Sequence, residues 1–206
     1  MLLGKGRKMQ KIIQRTANGN NVITLETANF EKRFVHVQGK IEQECAFEFA
    51  LAMHHLNCIC EKPITVLINS PGGSVDAGLL MYDVIQASPA PVKVVVLGMA
   101  SSMAAVLFAT GQHGRYLLPN SKLMLHEPLL GCPIGGNTTS IKTISDNLLA
   151  TRDKINNILA KHTGKTMQEI EEVTRQEHYF TAAESVEFGL ADRVISFAEL
   201  VNNVLK

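Results

Sequence analysis

Ile64-Thr65-Val66-Leu67-Ile68-Asn69-Ser70-Pro71-Gly72-Gly73-Ser74-Val75-Asp76-Ala77-Gly78 is the stretch on which the fold turns. Ile64 to Ile68 is short, apolar and β-branched, the mark of a buried strand. Ser70 to Ser74 is a turn, where proline and glycine close one element before the next begins. Val75 to Gln86 then reads as a helix. The same order recurs outward from this stretch. Downstream, Val92 to Leu97 is nearly all valine and predicts a second buried strand; Gly98 to Ser102 is small and tight, and Met103 to Thr110 predicts a helix. Tyr116 to Leu118 and Leu123 to His126 predict two more short strands. Upstream, Arg33 to Val37 predicts a strand, and Gln43 to Leu56 repeats its apolar residues (Cys45, Phe49, Ala52, Met53, Leu56) at helical spacing. Strand, turn, helix and strand again is the signature of right-handed βαβ units around a parallel sheet, an α/β fold. Strands apolar throughout predict a sheet covered on both faces.

Towards the carboxyl end, Ile141 to His162 predicts a long helix with Ile144, Leu148, Leu149, Ile155, Ile158 and Leu159 among its apolar positions, stopped by Gly164. Thr166 with Glu169, Thr181 with Glu184, and Ser196 with Glu199 each fit a capping box, in which hydroxyl and carboxylate satisfy free amides at a helix start. Gly189 closes the middle one of these helices, and Arg193 to Ser196 predicts a closing strand. The first thirty residues differ in character. They are polar, basic and rich in asparagine (Asn18, Asn20, Asn21), with one strand-like run, Val22 to Leu25. They predict a flexible arm or a short edge hairpin. The expected organisation is an amino-terminal arm over 1–30 and a single domain over 31–206.

A chain of 206 residues suffices for one domain with a sizeable core. A formal net charge of +1 gives no field to attract nucleic acid or an anionic membrane. Trp is absent and aromatics are few, which argues against base-stacking platforms. No apolar run has signal-peptide or membrane-spanning length, so the cytoplasm is the expected location. Cys45, Cys58, Cys60 and Cys132 are expected to be reduced there. His54, His55, Cys58 and Cys60 cluster, but their spacing does not match a usual zinc site, and the reading preferred is a helix end carrying ordinary thiols.

Chemistry in an open α/β sheet gathers at the carboxyl ends of its strands. Three such ends stand out. After the first buried strand, Gly72 and Gly73 allow backbone to approach a ligand and present free N–H groups, which suits an oxyanion hole as well as a plain turn. The loop lacks the spacing and lysine of a phosphate loop. After the second strand, Ser101 or Ser102 sits where strand becomes helix, either as a simple cap or as a nucleophile whose charge the helix amides stabilise. The literal G-x-S-x-G is absent. His126 closes an apolar strand before Pro128 and suits either a general base or a structural imidazole. Together these features suit nucleophilic acyl transfer.

At this point the sequence resembles the Clp protease proteolytic-subunit (ClpP) family. The matching runs are Ile68-Asn69-Ser70-Pro71-Gly72-Gly73-Ser74-Val75, Ala77-Gly78, Tyr82-Asp83, Gly98-Met99-Ala100-Ser101-Ser102-Met103, Leu118-Pro119-Asn120-Ser121 and Met124-Leu125-His126-Glu127-Pro128-Leu129. His162-Thr163-Gly164, Thr181-Ala182-Ala183-Glu184 and Glu187-Phe188-Gly189-Leu190-Ala191-Asp192 continue the match, which spans roughly Lys32 to Ile195. The resemblance implies a crotonase-like α/β fold with a protruding handle helix, here about 131–162, and a serine endopeptidase with a Ser-His-acid triad. It picks Ser102 over Ser101 as nucleophile, assigns His126 as base, and gives the oxyanion hole to the backbone amides of Gly73 and Met103. It implies two stacked heptameric rings fed with unfolded chains by an AAA+ Clp unfoldase. That partner, not this chain, uses ATP, and no cofactor or metal is implied here.

Three departures from the family pattern matter. The triad acid is an aspartate in the family, and the aligned position in Arg175-Gln176-Glu177-His178-Tyr179-Phe180 holds Glu177, one methylene longer. The segment 1–30 does not match the usual axial segment. Thr65 and Leu67 stand where the family carries tyrosines that receive the unfoldase, and Gly131 to Gly136 also differs. These departures suggest a divergent paralogue, sharing homo- or hetero-oligomeric rings. The rival readings are a weakly active or non-catalytic ring subunit scaffolding an active one, an acyl-CoA enzyme of the same fold superfamily, and a Ser-Lys membrane-associated peptidase.

Overall fold

The computed structural model describes residues 10–203 apart from 18, 132 and 134. The basic start 1–9, Asn18 and Cys132 therefore lie outside the described residues. In chain order the elements are β1 (Lys11–Thr16), β2 (Gly19–Thr24), α1 (Leu25–Glu31), β3 (Phe34–Gln38), α2 (Gln43–Ile59), β4 (Ile64–Ser70), α3 (Val75–Gln86), β5 (Val92–Ser101) and α4 (Met103–Ala109). They continue as β6 (Arg115–Leu117), β7 (Lys122–Leu125), α5 (Thr138–Thr163), α6 (Met167–Thr174), β8 (His178–Phe180), α7 (Ala182–Phe188), β9 (Arg193–Val194) and α8 (Phe197–Asn203).

β3, β4, β5, β6 and β9 lie side by side in parallel, and β7 adds to β5 beyond the end of β6. β8 then pairs antiparallel with β7. Helices separate successive parallel strands, as the hydrophobic pattern requires. The edge-hairpin alternative for the amino-terminal segment is the one observed: β1 and β2 pair antiparallel as a separate sheet. Thr24 then caps α1, accepting from the Thr27 N–H at 3.0 Å.

The main core lies between one face of the sheet and helices α2, α3, α4 and α5. Ile64, Val66 and Ile68 of β4 and Val94 and Val96 of β5 meet Phe49, Met53, Met81, Phe108 and Leu159 there. The expectation that both faces are covered needs correction. On the opposite face Val95, Ile195 and Leu200 form a small buried cluster beneath α8, while Leu67 and Leu97 stay half-buried and Met99 is exposed. The residues on that face are apolar, but among the described residues only the short helix α8 packs over part of it.

All three expected capping boxes are present. Thr166 and Glu169, Thr181 and Glu184, and Ser196 and Glu199 exchange backbone and side-chain hydrogen bonds of 2.8–3.3 Å. Gly164 and Gly189 end α5 and α7 in the left-handed conformation.

Candidate active site

The three strand ends singled out in the sequence are neighbours in space. β4 pairs with β5, and β5 with β7. Ser70 stands opposite Ala100, and Ser101 opposite Met124. The chain thus leaves the sheet at Pro71, Ser102 and His126 along a single edge. A register shift between Ile68 and Ser70 makes this alignment, because β5 bulges there. Gly98 permits the bulge with φ 104°. Ser121 fixes it: its hydroxyl donates to the Val96 carbonyl and accepts from the Gly98 N–H.

The glycine loop is clamped from one side. Ile41 donates to the Gly72 carbonyl and accepts from the Ser74 N–H, each at 2.8 Å. The Ser70 hydroxyl donates to the Gly39 carbonyl at 2.6 Å and accepts from the Gly72 N–H at 3.0 Å. These bonds use the groups on either side of the Gly73 N–H, which has no acceptor among the described residues. Both glycines are required. A Cβ on Gly72 would lie 2.9 Å from the Ser102 Cβ, and one on Gly73 would run into the Ile41 carbonyl oxygen.

Ser102 holds φ 53° and ψ −126° between strand and helix. A non-glycine residue in that region stores strain, of order 1–3 kcal/mol, and persists only where its surroundings enforce it. Here they do. The Ser102 N–H donates to the Met124 carbonyl at 2.7 Å, and its carbonyl accepts from Ala105 and Val106. The capping alternative is not what the serine does, since its side chain makes no cap hydrogen bond. The hydroxyl is left for other work on a half-buried residue. Met103 opens α4, so its N–H is one of the helix's unpaired donors. It lies 3.1 Å from the position a Gly72 Cβ would take. Gly73, Ser102 and Met103 are therefore gathered at one point.

His126 is half-buried at the end of β7, and the next residue is pinned by the Glu127 N–H donating to the Thr174 carbonyl at 2.7 Å. Glu177 is brought alongside by β8, a strand that the periodicity does not reveal. Leu125 pairs with His178 as the last pair of the two strands, so His126 and Glu177 are the residues next beyond it on either side. Glu177 is exposed and accepts a 2.8 Å hydrogen bond from the Tyr179 hydroxyl. The carboxylate pushes the Tyr179 phenol above its ordinary value. Among the described residues no hydrogen bond or ion pair joins Ser102, His126 and Glu177 to one another.

Beside this edge lies a groove of about 500 Å³ walled by Val75, Pro128, Leu129, Leu130, Ile144 and Leu148. It lies between the start of α3, the segment 128–135 and the inner turns of α5, where Asp76, Asn147 and Thr151 also line it. Elsewhere, the Cys58 thiol and His54 Nε2 stand 3.7 Å apart, and no group of three or more potential metal ligands gathers among the described residues. Sequence reasoning passed over Ser70, Ser121 and Tyr179. The two serines sit inside matched runs, but only the fold shows that their hydroxyls brace the loop and the bulge.

A strained serine beside amides that have no acceptor among the described residues, on a parallel sheet, is an arrangement suited to acyl transfer. The comparisons with known proteins take this further. The family model for Clp protease matches residues 17–198. The chain is 34% identical over 187 residues, 90% of this chain and 94% of the relative, to an ATP-dependent Clp protease proteolytic subunit of Leuconostoc citreum. The chain belongs to the Clp protease family.

Proposed function

We propose that this chain is a serine endopeptidase subunit in which Ser102 is the nucleophile, His126 the general base and Glu177 the acid that orients it. The observation that carries the proposal is the Ser102 backbone: strained, held from three sides, and with its hydroxyl spared from capping. The Ser102 Oγ attacks the peptide carbonyl and passes its proton to His126. The carbonyl oxygen becomes an oxyanion between the Gly73 and Met103 amides, an arrangement worth about 10²–10³ in kcat per donor. His126 returns the proton to the leaving amine. Water then attacks the acyl-enzyme, giving its proton to His126, which passes it to the departing Ser102 Oγ as the acid product is released. The Glu177 carboxylate stabilises the imidazolium in both halves.

The groove between Val75, Pro128 and Leu148, apolar for most of its lining, suits one apolar side chain of an unfolded substrate, with the rest of the contacts made by backbone. The half-covered second face of the sheet supports assembly, because Leu67, Leu97 and Met99 are left without full cover by the described residues and suit a partner surface. Two stacked heptameric rings, fed by an AAA+ unfoldase that uses ATP in place of any cofactor here, are the assembly the family resemblance implies. No helix among the described residues is long and apolar enough to cross a membrane. A cytoplasmic site of action belongs to the same proposal. Family membership and the preserved elbow favour an active subunit over a scaffold, and a peptidase over an acyl-CoA enzyme.

The test is hydrolysis of a fluorogenic peptide and of a CoA thioester by the purified chain and by Ser102→Ala. The reading expects peptide turnover that the variant loses while keeping its fold. Thioester turnover, or full peptidase activity in the variant, contradicts it.

A further inference from the structure

The Glu177 carboxylate has one more torsion than an aspartate, and extra torsions blur a position that catalysis needs fixed. The structure supplies a constraint. Tyr179 stands two residues further along β8, on the same face of the strand. Its hydroxyl donates to Glu177 Oε2 at 2.8 Å. The side chain is 60% exposed, so the ring is not held there by packing. On the neighbouring strand Tyr179 pairs with Met124 and His178 with Leu125, and His126 and Glu177 follow directly beyond that last pair. Directly opposed residues of an antiparallel pair share a face. Met124 and Tyr179 therefore share a face of the β7–β8 ribbon, and His126 and Glu177 sit together at its open end. A carboxylate accepts on both oxygens, so a phenol on Oε2 leaves Oε1 for the imidazole.

We propose that Tyr179 is a positioning residue for this chain's triad. Its hydroxyl pins one oxygen of Glu177, so that the longer carboxylate presents the other to His126. The inference rests on the reading of Glu177 as the acid. It requires the phenol to stay protonated at working pH, and its upward displacement by the carboxylate agrees with that. The pinning also removes the rotamer freedom that makes glutamate a looser acid than aspartate. An aspartate at 177 withdraws the carboxylate by one methylene and breaks the contact with Tyr179. Tyr179 matters, then, only when residue 177 is glutamate.

That dependence is the test. Peptide kcat and KM, and the rate of labelling by a fluorophosphonate, are measured on the full chain and on Tyr179→Phe, Glu177→Asp, the double variant and Glu177→Gln. Since a misplacement near 1 Å costs about 10²-fold, a loosened but still present carboxylate is expected to lower kcat and labelling about tenfold in Tyr179→Phe, with KM within about twofold. In the Glu177→Asp background the same change is expected to alter neither rate by more than about twofold, which is the non-additivity of a coupled pair. An equal loss in both backgrounds overturns the proposal, since it marks a merely structural tyrosine. No loss in Tyr179→Phe, or a gain, also overturns it, the gain showing that the tyrosine withholds the acid. Glu177→Gln separates the two levels. If it is inactive while Tyr179→Phe is fully active, only the role of Tyr179 fails. If Glu177→Gln keeps full activity, the acid assignment fails and takes the inference with it.

Discussion

Gly73 shows how much one residue carries in this chain. Its missing side chain lets the loop close on Ile41, and its N–H, without an acceptor among the described residues, is one of the two donors of the proposed oxyanion hole. Gly73→Ala forces a methyl against the Ile41 carbonyl, so the loop must move and the amide moves with it. The expected result is a fall in kcat of about 10²–10³, the effect of losing one oxyanion donor. Peptide kinetics are read beside a thermal melt, at a temperature where the variant is folded, so that the fall in kcat is separated from the loss of stability the clash brings. At this scale the sequence was informative but not sufficient. Paired glycines after an apolar strand announce close backbone approach, and a serine at a strand–helix junction announces a cap or a nucleophile. Local sequence does not separate those alternatives. What speaks against the cap is the backbone of Ser102, whose side chain makes no cap hydrogen bond and whose N–H Met124 holds from a strand more than twenty residues away.

At the scale of elements, the helix starts were legible because their signals are local. Thr181 bonds the Glu184 amide, and Glu184 bonds back. Thr181→Ala is expected to destabilise the chain by about 1 kcal/mol, the usual loss for a removed N-cap, read from urea unfolding. β8 was not legible, because three residues show no periodicity and the strand exists only through its pairing with β7. The helix α1 was missed for a related reason: its seven residues follow directly on a strand-like run. His162, in the last turn of α5, gives this scale a pH dependence. Burial first, then the charges of Lys161 and Arg115, push its imidazole below the ordinary value of 6.5. Tyr82 lies against it, hydroxyl to Nε2 at 3.5 Å. The unfolded chain therefore takes up a proton before the folded one does. The contribution is complete above about pH 6.5 and is lost as pH falls from there through the lowered folded value. Melting temperatures between pH 5 and 8 are expected to show this slope in the native chain and a flatter one in His162→Gln.

For the whole molecule, Arg115 is the residue that ties distant parts together. Its guanidinium donates to the carbonyls of Ala109, His162 and Gly189, at or next to the ends of α4, α5 and α7, and to Asp192. Cations favour helix carboxyl ends, and a planar five-donor group can serve several acceptors at once. Arg115→Ala is expected to cost on the order of 3 kcal/mol in unfolding free energy, since it orphans partly buried acceptors. Arg115→Lys is expected to recover less than half of that, because one ammonium cannot span the fan. Recovery close to native stability argues that charge alone is at work. The fold class was readable from alternating runs. The incompletely covered face was not, because a valine- and leucine-rich strand looks the same whether its second face meets its own helix or another subunit.

The central claim is that Ser102 is an activated nucleophile. Reaction of the purified chain with a fluorophosphonate, followed by peptide mass mapping and with Ser102→Ala alongside, tests it most directly. The account predicts a single adduct on Ser102 that disappears in the variant. A folded chain that takes no label at Ser102, or a variant that labels as the native chain does, contradicts it.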